Sequence, residues 1–173
     1  MVRRLPTRAG RAPAGTVAHV REGPITLHLD SLAATERLAG RLASVLRPGD
    51  ALLLEGPLGA GKSALARAVL RRLAGDPALE VPSPSFTLVQ SYDLPSGGAA
   101  HHYDLYRLSG PADLAELGWD EAREGIVLVE WPDRLGALRP GDALALALAP
   151  GAGEEQRVAT LSGPPERLRD LPA

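Results

Sequence analysis

The sequence predicts an α/β domain of three layers, with a central, mostly parallel sheet and an added antiparallel hairpin. Residues 51–54 and 126–129 are uninterrupted apolar runs, as expected of strands that are buried on both faces. A glycine-rich segment between the first run and an amphipathic stretch predicts a strand, a loop and a helix in succession. We therefore expect one domain over residues 23–173, enough chain to bury a single ordinary core.

The elements before the glycine-rich segment have clear sequence signals. Residues 25–29 alternate between apolar and polar side chains, which predicts a first strand. Asp30 or Ser31 can then cap a helix to about Leu46, because apolar residues recur at helical spacing along this stretch.

The segments after the glycine-rich loop predict the rest of the domain. A helix begins at Lys62 and ends near Leu73, with Gly75 as its stop. Two strands between residues 86 and 105, joined by a loop at 94–98, predict the antiparallel hairpin. A short helix over 112–117 and strands over 126–129, 143–149 and 157–161 complete the order.

The first 22 residues are predicted to be a disordered, arginine-rich extension. They contain five arginines and no acidic residue before Glu22, a composition shared with organellar transit peptides.

The whole chain has a formal net charge of -2, which predicts no general attraction to nucleic acid or membranes. It has no cysteine, which excludes disulfides and thiolate sites. No apolar run approaches the ~20 residues that span a bilayer, so we expect a soluble, cytoplasmic protein.

The glycine-rich segment has the spacing of a phosphate-binding loop (P-loop), G-x-x-x-x-G-K-[ST]. Its glycines let backbone N–H groups turn inward around a phosphate, and the following helix N-terminus favours negative charge. Its lysine can reach the β- and γ-phosphates, and its final hydroxyl can bind Mg²⁺. The residues of the loop are Gly56, Pro57, Leu58, Gly59, Ala60, Gly61, Lys62 (the only lysine in the chain) and Ser63. The motif predicts binding of a nucleoside triphosphate with Mg²⁺, in a P-loop NTPase-type domain.

Two acidic residues are candidates for binding the metal and for positioning the attacking water. Glu130 follows the apolar run 126–129, so it should project from the carboxyl edge of a buried strand, where open α/β sheets bind ligands. Asp104 lies near the end of a predicted hairpin strand. From spacing alone, Asp104 could act in the site or could form a structural ion pair with Arg107.

Other polar residues in this part of the chain are less informative. Ser83, Pro84, Ser85, Phe86 and Thr87 could form a loop that senses the γ-phosphate, although a plain turn has the same composition. His101 and His102 have no third ligand at metal spacing, so they are interpreted as ordinary strand residues. Trp131 could be a core residue or an exposed contact.

Several segments together resemble the bacterial TsaE family. The resemblance extends from about Ile25 to Ser162, and the combination of segments is far more specific than the P-loop alone. The matching segments are residues 56–63, 83–88, 102–108, Leu117-Gly118 and Glu130-Trp131-Pro132.

The resemblance implies functions beyond those that the residues indicate by themselves. It implies an ATPase, with ATP and Mg²⁺, for the tRNA threonylcarbamoyladenosine modification next to the anticodon. It also implies two partners, the threonylcarbamoyltransferase and its inactive paralogue, with tRNA contacted only through that complex. It further implies that the chain turns ATP over slowly without partners. It also implies that the chain does not itself transfer the threonylcarbamoyl group.

The resemblance also implies roles for individual residues. Asp104 becomes a catalytic or metal-site residue, and Glu130 a residue at Mg²⁺. Residues 83–87 become a switch-like loop, and Trp131 part of a functional or partner surface. The helix start around Ser31 and Thr35 becomes the segment that contacts adenine.

Two departures from the family pattern concern hydroxyl groups. Ser63 and Ala64 stand where relatives usually carry two threonines, so the metal-binding hydroxyl is kept and a second one is lost. Ser85 stands where a threonine is usual and lacks its β-branch stiffness. We still expect the chain to bind a nucleotide despite these changes, but they leave its turnover rate open.

Two alternatives remain open from the sequence. A small-molecule or nucleoside kinase shares this fold and loop, but no clustered basic lid follows Glu130. A nucleotide-gated binding module, with incidental hydrolysis, is the other.

Overall fold

The computed structural model describes residues 23–171, in which seven strands form one sheet. The predicted extension at residues 1–22 lies outside the described residues. The strands are β1 (Ile25–Leu29), β2 (Ala51–Glu55), β3 (Val89–Asp93), β4 (Ala99–Asp104), β5 (Ile126–Glu130), β6 (Leu144–Pro150) and β7 (Arg157–Ser162). The helices are α1 (Leu32–Val45), α2 (Lys62–Ala74), α3 (Trp119–Ala122) and α4 (Pro165–Arg169), with 3₁₀ turns at Pro111–Leu117 and Pro132–Leu138.

The sheet is mixed, and its parallel part is central. The strands lie in the order β1-β7-β6-β2-β5-β4-β3, and β6, β2, β5 and β4 pair in parallel. The buried apolar runs predicted this arrangement for β2 and β5. Antiparallel pairing occurs at both edges, through the β3–β4 hairpin and through β7 with its neighbours β6 and β1. The α/β class is therefore confirmed, with a larger antiparallel part than the predicted hairpin.

Two apolar clusters cover the two faces of the sheet, which gives the three predicted layers. Alternate residues of β2 face opposite ways, so that Leu52 and Leu54 pack against α1 and α2. Leu53 packs on the other face with Leu114 and Trp119. This second layer consists of short 3₁₀ turns and α3.

Local sequence signals explain the ends of the two long helices. The Ser31 hydroxyl accepts a hydrogen bond from the amide of Ala34, which caps α1. Gly75 ends α2 in the left-handed conformation, with φ 65°. One boundary was predicted wrongly: residues 86–88 form a turn before β3, and Leu88 has a φ of 64°. A positive φ interrupts extended backbone, which explains why the strand begins only at Val89.

No helix within residues 23–171 is long and apolar enough to cross a membrane.

Candidate functional site

The glycine-rich loop connects β2 to α2 at the carboxyl edge of the parallel strands. Gly61 adopts a φ of 103° immediately before the helix. A residue with a side chain would be strained in this backbone conformation. A Cβ on Gly56 would lie 2.3 Å from the backbone oxygen of Leu148 on β6. The loop therefore needs glycine at these positions both for its turn and for its close approach to β6.

Lys62 is held against the loop and beside an aromatic ring. Its side chain is buried, and Nζ donates to the backbone oxygens of Gly56 and Pro57 at 2.8 Å each. The Trp131 ring centroid lies 3.9 Å from Nζ, within cation–π range. Burial lowers the pKa of Lys62 from its ordinary value, and the carboxylates of Glu130 and Asp104 oppose this shift. Trp131 therefore lines the candidate site beside Lys62.

The structure brings Asp104 and Glu130 together. They are register partners at the ends of the parallel strands β4 and β5, and both are buried. The Ser63 hydroxyl donates to Oε2 of Glu130 at 2.9 Å. All three side chains line one cleft of about 240 Å³ beside the loop, with Lys62 and Trp131.

Asp104 is bound by hydroxyl and amide donors. Ser85 Oγ donates to Oδ2 at 2.8 Å, and the amide of Tyr106 donates to Oδ1 at 3.1 Å. Arg107 instead places its guanidinium over the Phe86 ring, 4.5 Å from the centroid. Among the described residues, Asp104 is therefore not paired with Arg107, and the ion-pair alternative for this carboxylate is wrong.

The serine-rich segment is a turn that ends beside Asp104. The hydroxyls of Ser83 and Ser85 lie 2.9 Å apart, and the amide of Leu88 donates to the oxygen of Pro84. Phe86 is exposed on the outside of this turn. The Ser85 hydroxyl connects the segment to the carboxylate of Asp104, and the amide of Asp104 donates to the oxygen of Leu88 at the end of the turn.

His102 lies in a strand, as predicted, but it also contacts a residue of the candidate site. Its Nε2 lies 2.8 Å from Oε1 of Glu130, and both side chains are almost fully buried. His101 faces the other way and contacts Ser91. A signal was present in the sequence, because residues 102 and 104 lie on the same face of a strand.

A second cleft, of about 190 Å³, lies on the other side of the loop. Thr35 lines it together with Ala64, whereas the Ser31 hydroxyl is used as the α1 cap. Arg157, which the sequence did not single out, also lines this cleft and donates from Nε to the oxygen of Ala60 at 3.1 Å. No spacing rule marks Arg157, since its contact spans 97 residues of chain.

The residues around the first cleft fit a magnesium ion held together with a nucleotide. Ser63, Asp104 and Glu130 offer only oxygen donors, which Mg²⁺ prefers. Within residues 23–171 no group of three or more His, Cys, Asp or Glu side chains could hold a metal alone.

A family model described as "Threonylcarbamoyl adenosine biosynthesis protein TsaE" matches residues 29–158. The chain belongs to the TsaE family. The match includes the P-loop, both carboxylates and Trp131, so the resemblance predicted from the sequence is confirmed.

Known TsaE proteins cover different shares of the chain. The tRNA threonylcarbamoyladenosine biosynthesis protein TsaE of Rickettsia felis is 42% identical over 100 residues, or 57% of this chain and 57% of the relative. The chain thus matches less than two thirds of that relative's length. The TsaE protein of Bacillus subtilis is 33% identical over 142 residues, or 79% of this chain and 84% of the relative.

A crystal structure of Bacillus subtilis YdiB shares the TsaE-type fold seen here. The two structures superpose with a TM-score of 0.67 at 26% sequence identity, over 86% of this chain and 91% of that one.

Proposed function

We propose that this chain is an Mg²⁺-dependent ATPase that supports the threonylcarbamoyladenosine modification of tRNA. In this proposal residues 23–173 form the single ATPase domain, which acts in the cytoplasm beside a threonylcarbamoyltransferase and its inactive paralogue. The chain does not transfer the threonylcarbamoyl group itself, and it meets tRNA only through the complex. Membership of the TsaE family supports this role, because its relatives are named for this biosynthesis.

The observation that carries the ATPase proposal is the convergence of four side chains in one cleft. The P-loop lysine, the hydroxyl of Ser63 and the carboxylates of Asp104 and Glu130 lie together at the carboxyl edge of the sheet. Phosphoryl transfer needs little covalent chemistry from a protein; positioning and charge stabilisation supply most of the rate. These are the groups that such a reaction requires.

On the phosphate side, the loop amides and Lys62 bind the β- and γ-phosphates. Lys62 already donates to the backbone oxygens of Gly56 and Pro57, which keeps its ammonium group beside the loop. Ser63 and Glu130, which contact each other, would hold Mg²⁺. When bound, the ion would neutralise part of the charge that develops on the phosphates.

Asp104 is proposed to orient the water that attacks the γ-phosphate, or to act at the metal site. Its carboxylate lies one strand away from Glu130 and lines the same cleft. Ser85 holds one of its oxygens, so a movement of residues 83–87 would change the position of the carboxylate. This contact supports a switch-like role for the turn.

The second cleft is proposed to hold the nucleoside. Thr35 and Ala64 line it beside the loop, and Arg157 supports the loop from behind. Ser31 contributes by fixing the start of α1, which sets the position of Thr35.

The rim of the first cleft is proposed as the partner surface. Leu58, Phe86 and Tyr106 are large apolar or aromatic side chains that are 79%, 83% and 51% exposed. Tyr106 also packs on Trp131, with ring centroids 4.9 Å apart. A partner that covers this rim would exclude water from the cleft and contact the turn at residues 83–87.

The experiment that tests the proposal is Mg²⁺-ATP hydrolysis by the full chain, alone and with the transferase, its paralogue and tRNA. We expect slow turnover alone and a clear increase with the pair. If turnover is the same with and without the transferase and its paralogue but requires a small hydroxylated acceptor, the chain is a kinase and the proposal is wrong. ATP binding with no turnover under any condition would leave only a nucleotide-gated binding module.

A further inference from the structure

His102 and Glu130 form a buried pair inside the candidate site. Nε2 of His102 lies 2.8 Å from Oε1 of Glu130, and the residues are only 1% and 2% exposed. The other carboxylate oxygen, Oε2, accepts from Ser63 at 2.9 Å. Each oxygen of this carboxylate therefore has its own donor, one from the sheet and one from α2.

The chemistry of the two groups determines which one donates. An ionised carboxylate can only accept hydrogen bonds, so the proton of this contact must be on Nε2. The second ring nitrogen, Nδ1, is buried and has no hydrogen-bond partner among the described residues. A proton on Nδ1 would leave a buried donor unsatisfied, so Nε2 is the ring nitrogen that the geometry places to donate.

The strand geometry explains why the ring can reach Glu130. His102 pairs in register with Leu128, two residues before Glu130 on the neighbouring parallel strand. Tyr103 packs into the opposite apolar cluster, so His102 and Asp104 share the face that α2 covers. The imidazole thus lies on the α2 face of the sheet, close to the carboxyl ends of β4 and β5.

We propose that His102 is a positioning residue, which holds Oε1 of Glu130 so that Oε2 is presented toward Ser63 and the metal. The inference rests on the proposed function for the identity of the metal and the nucleotide. A carboxylate with one oxygen held by a rigid ring loses rotational freedom before the ion binds. Partners of this kind around metal ligands are commonly worth 10–100-fold in metal affinity or activity, so His102 sets the Mg²⁺ requirement.

Two amide substitutions separate positioning from simple burial of polarity. His102→Gln carries its amide nitrogen about as far from the backbone as Nε2, whereas the amide of His102→Asn ends near the place of Nδ1. Both variants are polar and neutral. Only the glutamine can donate to Oε1, so the two should differ if the donor is what matters. His101→Gln, one residue away on the opposite face of β4, is the matched control.

The first readout needs neither metal nor activity. Nitrogen-15 NMR of the full chain without added metal or nucleotide would identify which ring nitrogen of His102 is protonated. A proton on Nε2 is expected, and an unprotonated Nε2 would overturn the proposal. Loss of the His102 signals in His102→Gln assigns the resonance.

The second readout is the Mg²⁺ concentration that half-saturates ATP binding, measured by titration at fixed nucleotide. We expect His102→Asn to raise this concentration about 10-fold, and His102→Gln to restore it to within about 3-fold of the wild-type value. Affinity for ATP measured in excess chelator should change little in both variants. Equal Mg²⁺ requirements in His102→Asn and the wild type would overturn the proposal.

Failure of the proposed function would be recognised separately. If the wild-type chain binds Mg²⁺-ATP but its turnover ignores the transferase pair, the tRNA role fails while the Nε2 proton and the Mg²⁺ shift remain measurable. Thermal unfolding of each variant without ligand shows whether it is folded, and His102→Gln keeps the comparison available if His102→Asn is not.

Discussion

At the scale of single residues, Lys62 is the group on which the proposed nucleotide binding depends most directly. It is buried, it is held by two backbone oxygens, and it lies beside a tryptophan ring and two carboxylates. No other side chain in the described part of the P-loop carries a positive charge. The loop therefore has one cation to offer to the phosphates.

Lys62→Ala should abolish high-affinity nucleotide binding, because it removes the only cation of the loop. ATP titration by calorimetry measures this. Arg139→Ala is the control, since it removes an exposed positive charge that pairs with Glu55 next to the same loop. Unchanged affinity in Lys62→Ala would contradict the P-loop assignment.

Asp104→Asn should keep nucleotide binding and lower hydrolysis in the full complex by roughly 10²–10⁴-fold, the usual worth of a group that handles the nucleophile's proton. The amide keeps an acceptor for the Tyr106 backbone N–H, so the local fold is retained. Single-turnover hydrolysis is the measurement. Asp93→Asn, an exposed carboxylate at the end of β3, should have normal turnover.

Sequence patterns predicted some of these residues and not others, for a physical reason. Lys62, Ser63 and Glu130 follow from a local motif or from the end of an apolar run, both of which are contiguous in sequence. Arg157 reaches the P-loop only because β7 pairs with β6 at the far side of the sheet. A contact made by tertiary packing leaves no local spacing to detect.

At the scale of secondary-structure elements, α1 is fixed to the sheet by one buried stripe. Ala34, Leu38, Ala39, Leu42 and Val45 are buried along it, which is the helical spacing seen in the sequence. The stripe also positions the start of α1 beside the second cleft.

Leu42→Ala should destabilise the protein by about 2–5 kcal/mol, because Leu42 is fully buried and its removal leaves a cavity. Leu32→Ala, at a residue that is 64% exposed on the same helix, should change the free energy of unfolding by less than about 0.5 kcal/mol. Urea denaturation of both variants provides the comparison. Equal destabilisation would mean that α1 is not packed by this stripe.

The strand β4 carries a group that should make stability depend on alkaline pH. Burial raises the pKa of Tyr103 to about 12, with a further contribution from the charge of Glu121. The folded state thus favours the neutral phenol, so this stabilisation is complete below pH 10 and is lost as the pH rises toward 12. Denaturant unfolding between these pH values should show a smaller loss of stability in Tyr103→Phe than in the wild type. An identical pH profile would contradict this account.

Most elements were predictable because their periodicity is strong and their ends carry Ser, Gly or Pro. The start of β3 was not, because the positive φ of Leu88 comes from a turn that packs beside Asp104. Tertiary packing holds Leu88 at this positive φ, and a leucine in the sequence does not predict such a backbone conformation.

At the scale of the whole molecule, the site joins elements from the entire described chain. The loop follows β2, the carboxylates end β4 and β5, and Arg157 begins β7. Nucleotide that binds across these elements should stabilise the fold as a unit.

Mg²⁺-ADP at about 100 times its dissociation constant should stabilise the chain by about 2.7 kcal/mol. For a chain of this size that corresponds to a rise in Tm of roughly 5–10 °C. Differential scanning calorimetry with and without ligand measures the shift, and Lys62→Ala should not show it. A ligand-independent Tm in the wild type would mean that no nucleotide is bound.

The contact between Arg157 and Ala60 has a consequence for how the protein is made. The two residues are separated by 97 positions, and the donor lies in the last of the seven strands. During synthesis, the P-loop therefore leaves the ribosome long before the arginine that braces its backbone. A chain that is released or cut ahead of β7 would carry a complete glycine motif without that brace. We accordingly expect premature stop codons at positions 133–157 to abolish function, even though every motif residue has been translated.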